Sequence, residues 1–209
     1  MSVKKLDAQA GFSIAEMLVT MMIMLAVMGL VTTLFSRSLN TRSRESSKTD
    51  ALTAAQAALN VMSREIANSG YSLVTNGLMN DSTDTVLHYN ANYINTNEVL
   101  TDPGEDVTYF FEPATRSILR HDANGGGPGV PVTSIIINRI SSVRYEYFDY
   151  AGANPLPSAP LSAPTANTGR VRIRLTVNLE RVVGQVNPDA VVITSDVTLR
   201  NADYMLKNY

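Results

Sequence analysis

From Phe12 to Phe35 the chain reads FSIAEMLVTMMIMLAVMGLVTTLF, a run of 24 residues with one charge, Glu16. At about 1.5 Å of rise per residue a helix of this length spans roughly 36 Å, enough to cross a bilayer core. The run is too long and too close to the start for an ordinary core helix. A secretory signal peptide is the competing reading. Its apolar region is usually shorter and ends at a small-x-small cleavage site. Met28-Gly29-Leu30 and Val31-Thr32-Thr33 offer only a poor one.

Glu16 carries the most information. A carboxylate inside a membrane helix costs about 2.5–3.5 kcal/mol on insertion scales, so it calls for a partner and a role. Upstream lies a short polar segment, Met1 to Gly11, with Lys4 and Lys5, and then Gly11-Phe12-Ser13-Ile14-Ala15-Glu16. This string, followed by an uninterrupted apolar helix, resembles the class III signal of type IV prepilins and pseudopilins. The resemblance implies that a membrane peptidase cuts after Gly11, that Phe12 becomes the N-terminus and is N-methylated, and that Glu16 is the glutamate at the fifth mature position. Physical chemistry is compatible with that role. A free Phe12 amine would be a positive charge at membrane depth, and pairing it with Glu16, within one subunit or between neighbours, offsets both burial costs and sets axial register. A Glu16 that merely snorkels at the membrane edge is the simpler alternative. Charge near the helix ends argues weakly the other way. Arg37, Arg42, Arg44 and Lys48 follow the span and outnumber Lys4 and Lys5, which by the positive-inside rule favours a reversed orientation.

The segment Ser36 to Asp50, SRSLNTRSRESSKTD, holds eight Ser, Thr or Asn residues and reads as a solvated helical neck or a locally melted one. Beyond it Leu52, Ala55, Leu59, Met62 and Ile66 recur at spacings of three and four. They predict an amphipathic helix that ends near Asn68-Ser69-Gly70, with Gly70 as the stop. Packing on a sheet suits this stripe better than a coiled-coil dimer. From Tyr71 onward the period changes to two. Strands are expected over Thr83–Tyr93, Val107–Phe111, Ser117–His121, Ser142–Tyr150 and Arg170–Leu179, with a last one marked by Val191, Ile193, Val197 and Leu199. One apolar face per strand predicts an antiparallel sheet covered on that face by the helix. Ala151–Thr168, rich in Pro, Ala and Ser, reads as a mobile loop, either a contact surface or a tolerated insertion.

The resemblance extends in patches to Arg64-Glu65-Ile66-Ala67-Asn68-Ser69-Gly70-Tyr71, Tyr147-Phe148-Asp149 and Thr198-Leu199-Arg200-Asn201. These are similar to PilW-type minor pilins and J-type pseudopilins. Many major pilins have a C-terminal cysteine pair and a helix-kinking proline where this chain has Thr33. Lacking both, the chain looks more like a minor subunit.

Other functions find little support. With no cysteine, disulfides, thiolate catalysis and cysteine metal sites are excluded. A net charge of −2 gives no global case for nucleic acid. Arg170, Arg172 and Arg174 form a basic strip, read as a solvated sheet face partnered by Glu146 or Glu180. Asp102, Glu105 and Asp106 lack EF-hand spacing and read as a solvated turn rather than a calcium site. Asn124–Pro131 is glycine-rich without the Gly-Lys-Ser/Thr ending of a phosphate loop. His88 and His121 sit in no HExxH or paired-histidine spacing, and there is no GxSxG.

The expectation is therefore an α+β, pilin-like chain: residues 1–11 a cleaved leader, 12–35 a transmembrane and filament-core helix, 36–70 its amphipathic continuation, 71–209 a β-rich head. It has no catalytic residue, cofactor or metal. The resemblance implies a structural minor pilin that helps initiate or cap a type IV pilus. Alternatives are a pseudopilin of a type II secretion system or a non-polymerising, membrane-anchored periplasmic binding domain. Implied partners are other pilin or pseudopilin subunits, a prepilin peptidase/N-methyltransferase, an inner-membrane assembly platform and inner-membrane lipid. Implied localisation is a single pass of the inner membrane, the head on the periplasmic or outer side.

Overall fold

The computed structural model describes residues 12–94, 99–151, 154–155, 159–179 and 190–202. The chain divides into two compact units, Met1–Ser46 and Ser47–Tyr209. Helix α1, Ile14–Ala67, contributes to both. The polar neck 36–50 is helical throughout, not melted. Its Thr41 hydroxyl donates to Arg37 O at 3.0 Å, satisfying itself on the helix backbone instead of competing with it.

In the first unit every described side chain up to Arg42 is exposed, including Met22, Leu25, Leu30 and Phe35. Thr20, Thr32 and Thr33 donate to the carbonyls of Met17, Met28 and Leu30 at 2.8–2.9 Å. The hydroxyls of the apolar run therefore demand nothing from their surroundings, as a lipid-facing helix requires. This is one helix long and apolar enough to cross a membrane.

In the second unit the helix is amphipathic. Ala51, Ala55, Ala58, Leu59, Met62 and Ile66 are buried. Leu52, expected in the stripe, is only half-buried, and Ala51 and Ala58 stand on the inner face.

The strands form two four-stranded antiparallel sheets where one was expected. The first runs β1-β2-β3-β4, made of β1 Val86–Asn90, β2 Asp106–Glu112, β3 Ser117–Asp122 and β4 Val132–Ile137. The second runs β6-β5-β7-β8, made of β5 Ile140–Ala151, β6 Asn154–Pro155, β7 Thr168–Asn178 and β8 Ala190–Thr198. The break falls at Asn138-Arg139, where Arg139 takes φ 61°, a conformation that strand backbone does not hold. The chain leaves the first sheet there and Ile140 N–H donates to Arg116 O at 2.9 Å. The expected strand over Thr83–Tyr93 is shorter because Thr83 N–H closes a turn onto Val86 O at 2.7 Å. Leu199 lies just past β8, buried, its N–H on Gly169 O at 2.9 Å. The strand β4 was not anticipated at all.

One core joins the helix to both sheets. Leu87, Tyr89, Val107, Tyr109 and Ile118 enter it from the first sheet, and Val143, Tyr145, Tyr147, Val171, Ile173, Leu175 and Val177 from the second. The alternation read along β7 is observed: Val171, Ile173, Leu175 and Val177 are buried while Arg172 and Arg174 face away. Burying each such aliphatic side chain is worth about 1.5–3 kcal/mol.

The end of α1 is locked by geometry only glycine allows. Gly70 (φ 75°) and Gly77 (φ 76°) both adopt left-handed backbone, and a Cβ on Gly77 would overlap the Gly70 backbone. Gly70 N–H donates to Asn90 O at 2.9 Å and Asn90 N–H to Gly77 O at 2.8 Å, tying this turn to β1.

The described part of the 151–168 loop is tied to the head by hydrogen bonds. Tyr147 and Leu161 exchange backbone hydrogen bonds at 2.9 and 3.0 Å. Asp149 accepts from the Thr165 and Thr168 hydroxyls at 2.8 and 2.9 Å. Buried Asn76 donates to Thr165 O and Thr168 O at 2.9 and 3.0 Å.

Candidate functional site

Of the three residues singled out at the N-terminus, Gly11 lies outside the described residues. Phe12 is exposed immediately before the helix, and Glu16 stands in its first turn. Glu16 has a local partner that sequence reasoning missed. Ser13 N–H donates to Glu16 Oε2 at 3.1 Å, and Ala15 N–H donates to Ser13 Oγ at 3.3 Å. This is a reciprocal capping box, signalled by Ser13-x-x-Glu16, and it satisfies amide donors that the helix start leaves free. Such a cap is worth about 1 kcal/mol, less than the roughly 2.5–3.5 kcal/mol cost of a carboxylate at mid-membrane. At that depth Glu16 would need a further partner. In the uncut chain the Phe12 nitrogen is a peptide nitrogen with no charge.

Within the head the densest polar site is built around Glu65, on the last turns of α1. Its Oε2 accepts from Tyr109 OH at 2.6 Å, Tyr89 OH at 3.0 Å and Arg120 Nε at 2.9 Å. The register explains the convergence, because Tyr109 stands directly opposite Arg120 across β2 and β3, and Tyr89 lies diagonal to Tyr109 across β1 and β2. Arg120 also reaches Asp122 at 3.0 Å, and Gly104 N–H donates to the same Asp122 oxygen at 2.8 Å. Burial alone would lower the Arg120 pKa, but the hydrogen bond and charge of Glu65, with Asp122, raise it. Burial and the Glu65 charge push Tyr89 and Tyr109 well above the ordinary tyrosine value, so both remain donors. Tyr93 beside them is pushed up to about 12. Glu65, Tyr89, Tyr93 and Arg120 line a small cleft of about 160 Å³ with Arg64, Asn68 and Gly104. The site staples the helix to three strands of the first sheet. A second tie, Ser63 Oγ to Ser195 Oγ at 2.9 Å, links the helix to β8.

The segments 64–71 and 198–201 meet at the end of α1. Arg200 N–H donates to Ala67 O at 2.9 Å, and the Asn201 amide donates to Ser69 O at 3.1 Å. The Thr198–Asn201 segment thus closes onto the end of α1.

The acidic cluster does not form the solvated turn expected of it. Glu105 is fully buried and accepts from the backbone N–H groups of Tyr93, Ile94 and Asp102 at 2.9–3.3 Å. Its carboxylate organises the loop that precedes β2. Asp106 instead faces His88. The imidazole sits between two carboxylates, Nδ1 at 2.9 Å from Asp81 and Nε2 at 2.8 Å from Asp106. Both ring nitrogens donate only in the imidazolium form. Burial pulls His88 down, yet the hydrogen bonds and charges of Asp81 and Asp106 leave its pKa above the ordinary 6.5. Among the described residues no group of three His, Cys, Asp or Glu side chains is placed to hold a metal ion.

Two of the three arginines of the strip, Arg172 and Arg174, are paired by carboxylates of their own sheet. Arg172 pairs with Asp196 at 2.9 and 3.3 Å. Glu146 Oε2 lies 3.2 Å from Arg174 and 3.8 Å from Arg172, close enough for ion pairing but without hydrogen-bond geometry. Arg170 and Arg172 stack over Phe148 with guanidinium carbons 4.1 and 5.0 Å from the ring centre. Glu180, the other expected partner, lies outside the described residues.

No protein-family model, curated protein or solved structure matches the chain. The geometry thus stands on its own: a capped apolar helix with exposed side chains, and a head clamped to the same helix further along.

Proposed function

We propose that the chain is a structural minor subunit of a type IV pilus or related secretion filament, held in the inner membrane by residues 12–35 and assembled through them. The observation that supports this reading best is Glu16 in the first turn of a helix whose apolar side chains from Met17 to Phe35 are all exposed. In an anchor alone the carboxylate serves only as a helix cap, worth less than its cost at membrane depth. A subunit whose Phe12 amine is freed by cleavage after Gly11 gives it a further role, because that amine and Glu16 neutralise each other and fix how far the helix advances among its neighbours. Exchange of lipid for neighbouring helices keeps the apolar surface away from water throughout, so entry into a filament costs little burial energy. The head remains folded through its own staples and travels as cargo on the helix.

Mass spectrometry of the chain recovered from cells that carry a prepilin peptidase tests the reading. A methylated Phe12 N-terminus is expected. An intact Met1, or a cut near residue 30, returns the chain to an anchored or secreted domain. Glu16→Gln sharpens the same test. Glutamine preserves a capping box but has no charge, so loss of filament incorporation assigns the role to charge, whereas normal incorporation leaves Glu16 as a helix cap.

A further inference from the structure

The first sheet has one protected edge and one open edge. Residues 77–83 lie along β1, with Asn90 N–H on Gly77 O at 2.8 Å, Met79 N–H on His88 O at 3.0 Å and Thr83 N–H on Val86 O at 2.7 Å. At the other end β4 pairs with β3 alone, and among the described residues nothing pairs with its outer side. Thr133, Ser134 and Ile135 are exposed, Ile135 at 62%. An unpaired strand edge is a row of free amide donors and acceptors, and chains that leave one open usually guard it with charge. Here there is none: from Asn124 to Asn138 no residue is charged.

The register adds a second observation. Val86, Phe110, Leu119 and Ile135 stand directly opposite one another across β1, β2, β3 and β4. They form an apolar row on the sheet face away from the core, and it terminates at the open edge. Beyond Ile135 the strand loses its regular pairing, because register shifts opposite Ile118 and Leu119.

We propose that β4 is a pairing edge for a second copy of this chain, the two strands running antiparallel about a two-fold axis near Ser134 and Ile135. The partner follows from the chemistry of the edge. A two-fold contact sets the same surface against itself, so a charge at or beside the axis would face its own like. This strand is free of that penalty, whereas β8, whose outer side is also unpaired among the described residues, carries Asp196. A second copy also brings its own apolar row up to the first, so the stripe ending at Ile135 continues instead of meeting water. The inference does not depend on leader cleavage or on filament assembly.

The chain has no cysteine, so single cysteines report the contact directly. Antiparallel partners sit about 4.5–5.5 Å apart between Cα atoms, inside the disulfide range of about 4.4–6.8 Å. The full chain is expressed in membranes as Ser134→Cys, Ile135→Cys or, as control, Val192→Cys on β8, where exposure is a comparable 58%. After mild oxidation, position 134 or 135 should give a disulfide dimer several-fold above the control. Equal yields at all three positions, no dimer at either β4 position, or a mixed disulfide with another protein in its place would overturn the proposal. In the Ser134→Cys background, Ile135→Lys should abolish the dimer while leaving the melting of the head unchanged. A dimer that survives this substitution would also sink it.

Discussion

The two halves of α1 are equally helical and obey opposite rules. Between Phe12 and Phe35 apolar residues point in every direction and all are exposed. Between Ala51 and Ile66 they keep to one stripe and are buried against the sheets. A helix apolar all round demands an apolar medium or other helices, whereas a striped helix needs only one surface. Among the described residues the apolar side chains of the first half are uncovered, whereas the stripe of the second half is buried within the head. One continuous secondary structure can thus be an anchor at one end and a core element at the other, and only the distribution of apolar side chains tells the ends apart.

The sharpest way to break that contrast is to remove polar and apolar anchors from the second half and equivalent side chains from the first. Glu65→Ala strips the carboxylate from Tyr89, Tyr109 and Arg120 together and leaves Arg120 half-buried beside Asp122 alone. The head should lose about 3–4 kcal/mol, read by denaturant unfolding. Little loss would mean that the staple is decorative. Leu59→Ala, at a fully buried position, should cost about 3 kcal/mol through lost contacts and a cavity. Leu25→Ala, in the exposed half, should leave the same melting transition within about 0.5 kcal/mol. Similar losses for the two leucines would show that the halves share one stability and that the comparison fails. The smallest effect concerns pH. The folded pKa of His88 is raised, so its contribution is fully present below the unfolded pKa and fades as pH rises through the folded one. It should amount to about 1 kcal/mol, since Asp81 is mostly exposed. Wild type and His88→Asn, melted between about pH 5 and about pH 9, should differ on the acid side and converge on the alkaline side. A gap that stays constant with pH would assign His88 a packing role instead.

Much of this was legible from residue order. The apolar run, the stripe at Ala55, Leu59, Met62 and Ile66, and the alternation along β7 are local periodicities, and local geometry sets them. Gly70 announced the helix end by the same logic. The strand β4 escaped notice because Val132–Ile137 holds three consecutive isoleucines after a glycine-rich turn, without the alternation of a half-exposed strand. The Ser13–Glu16 capping box was present as a spacing, but it was overlooked in favour of a longer-range explanation for Glu16.

What residue order determined, then, is where the long helix and most of the strands lie, which face of each is apolar, and that one helix carries more apolar surface than a folded head can cover. Tertiary structure decided how many sheets there are, that Glu65 gathers Tyr89, Tyr109 and Arg120 from three strands, that Glu105 faces inward, and that Arg172 and Arg174 are already paired. The division has a physical cause. Periodicity follows from backbone geometry within a few residues. Partnership between Glu65 and Arg120, 55 positions apart in the chain, exists only once strand register has brought both to the same place.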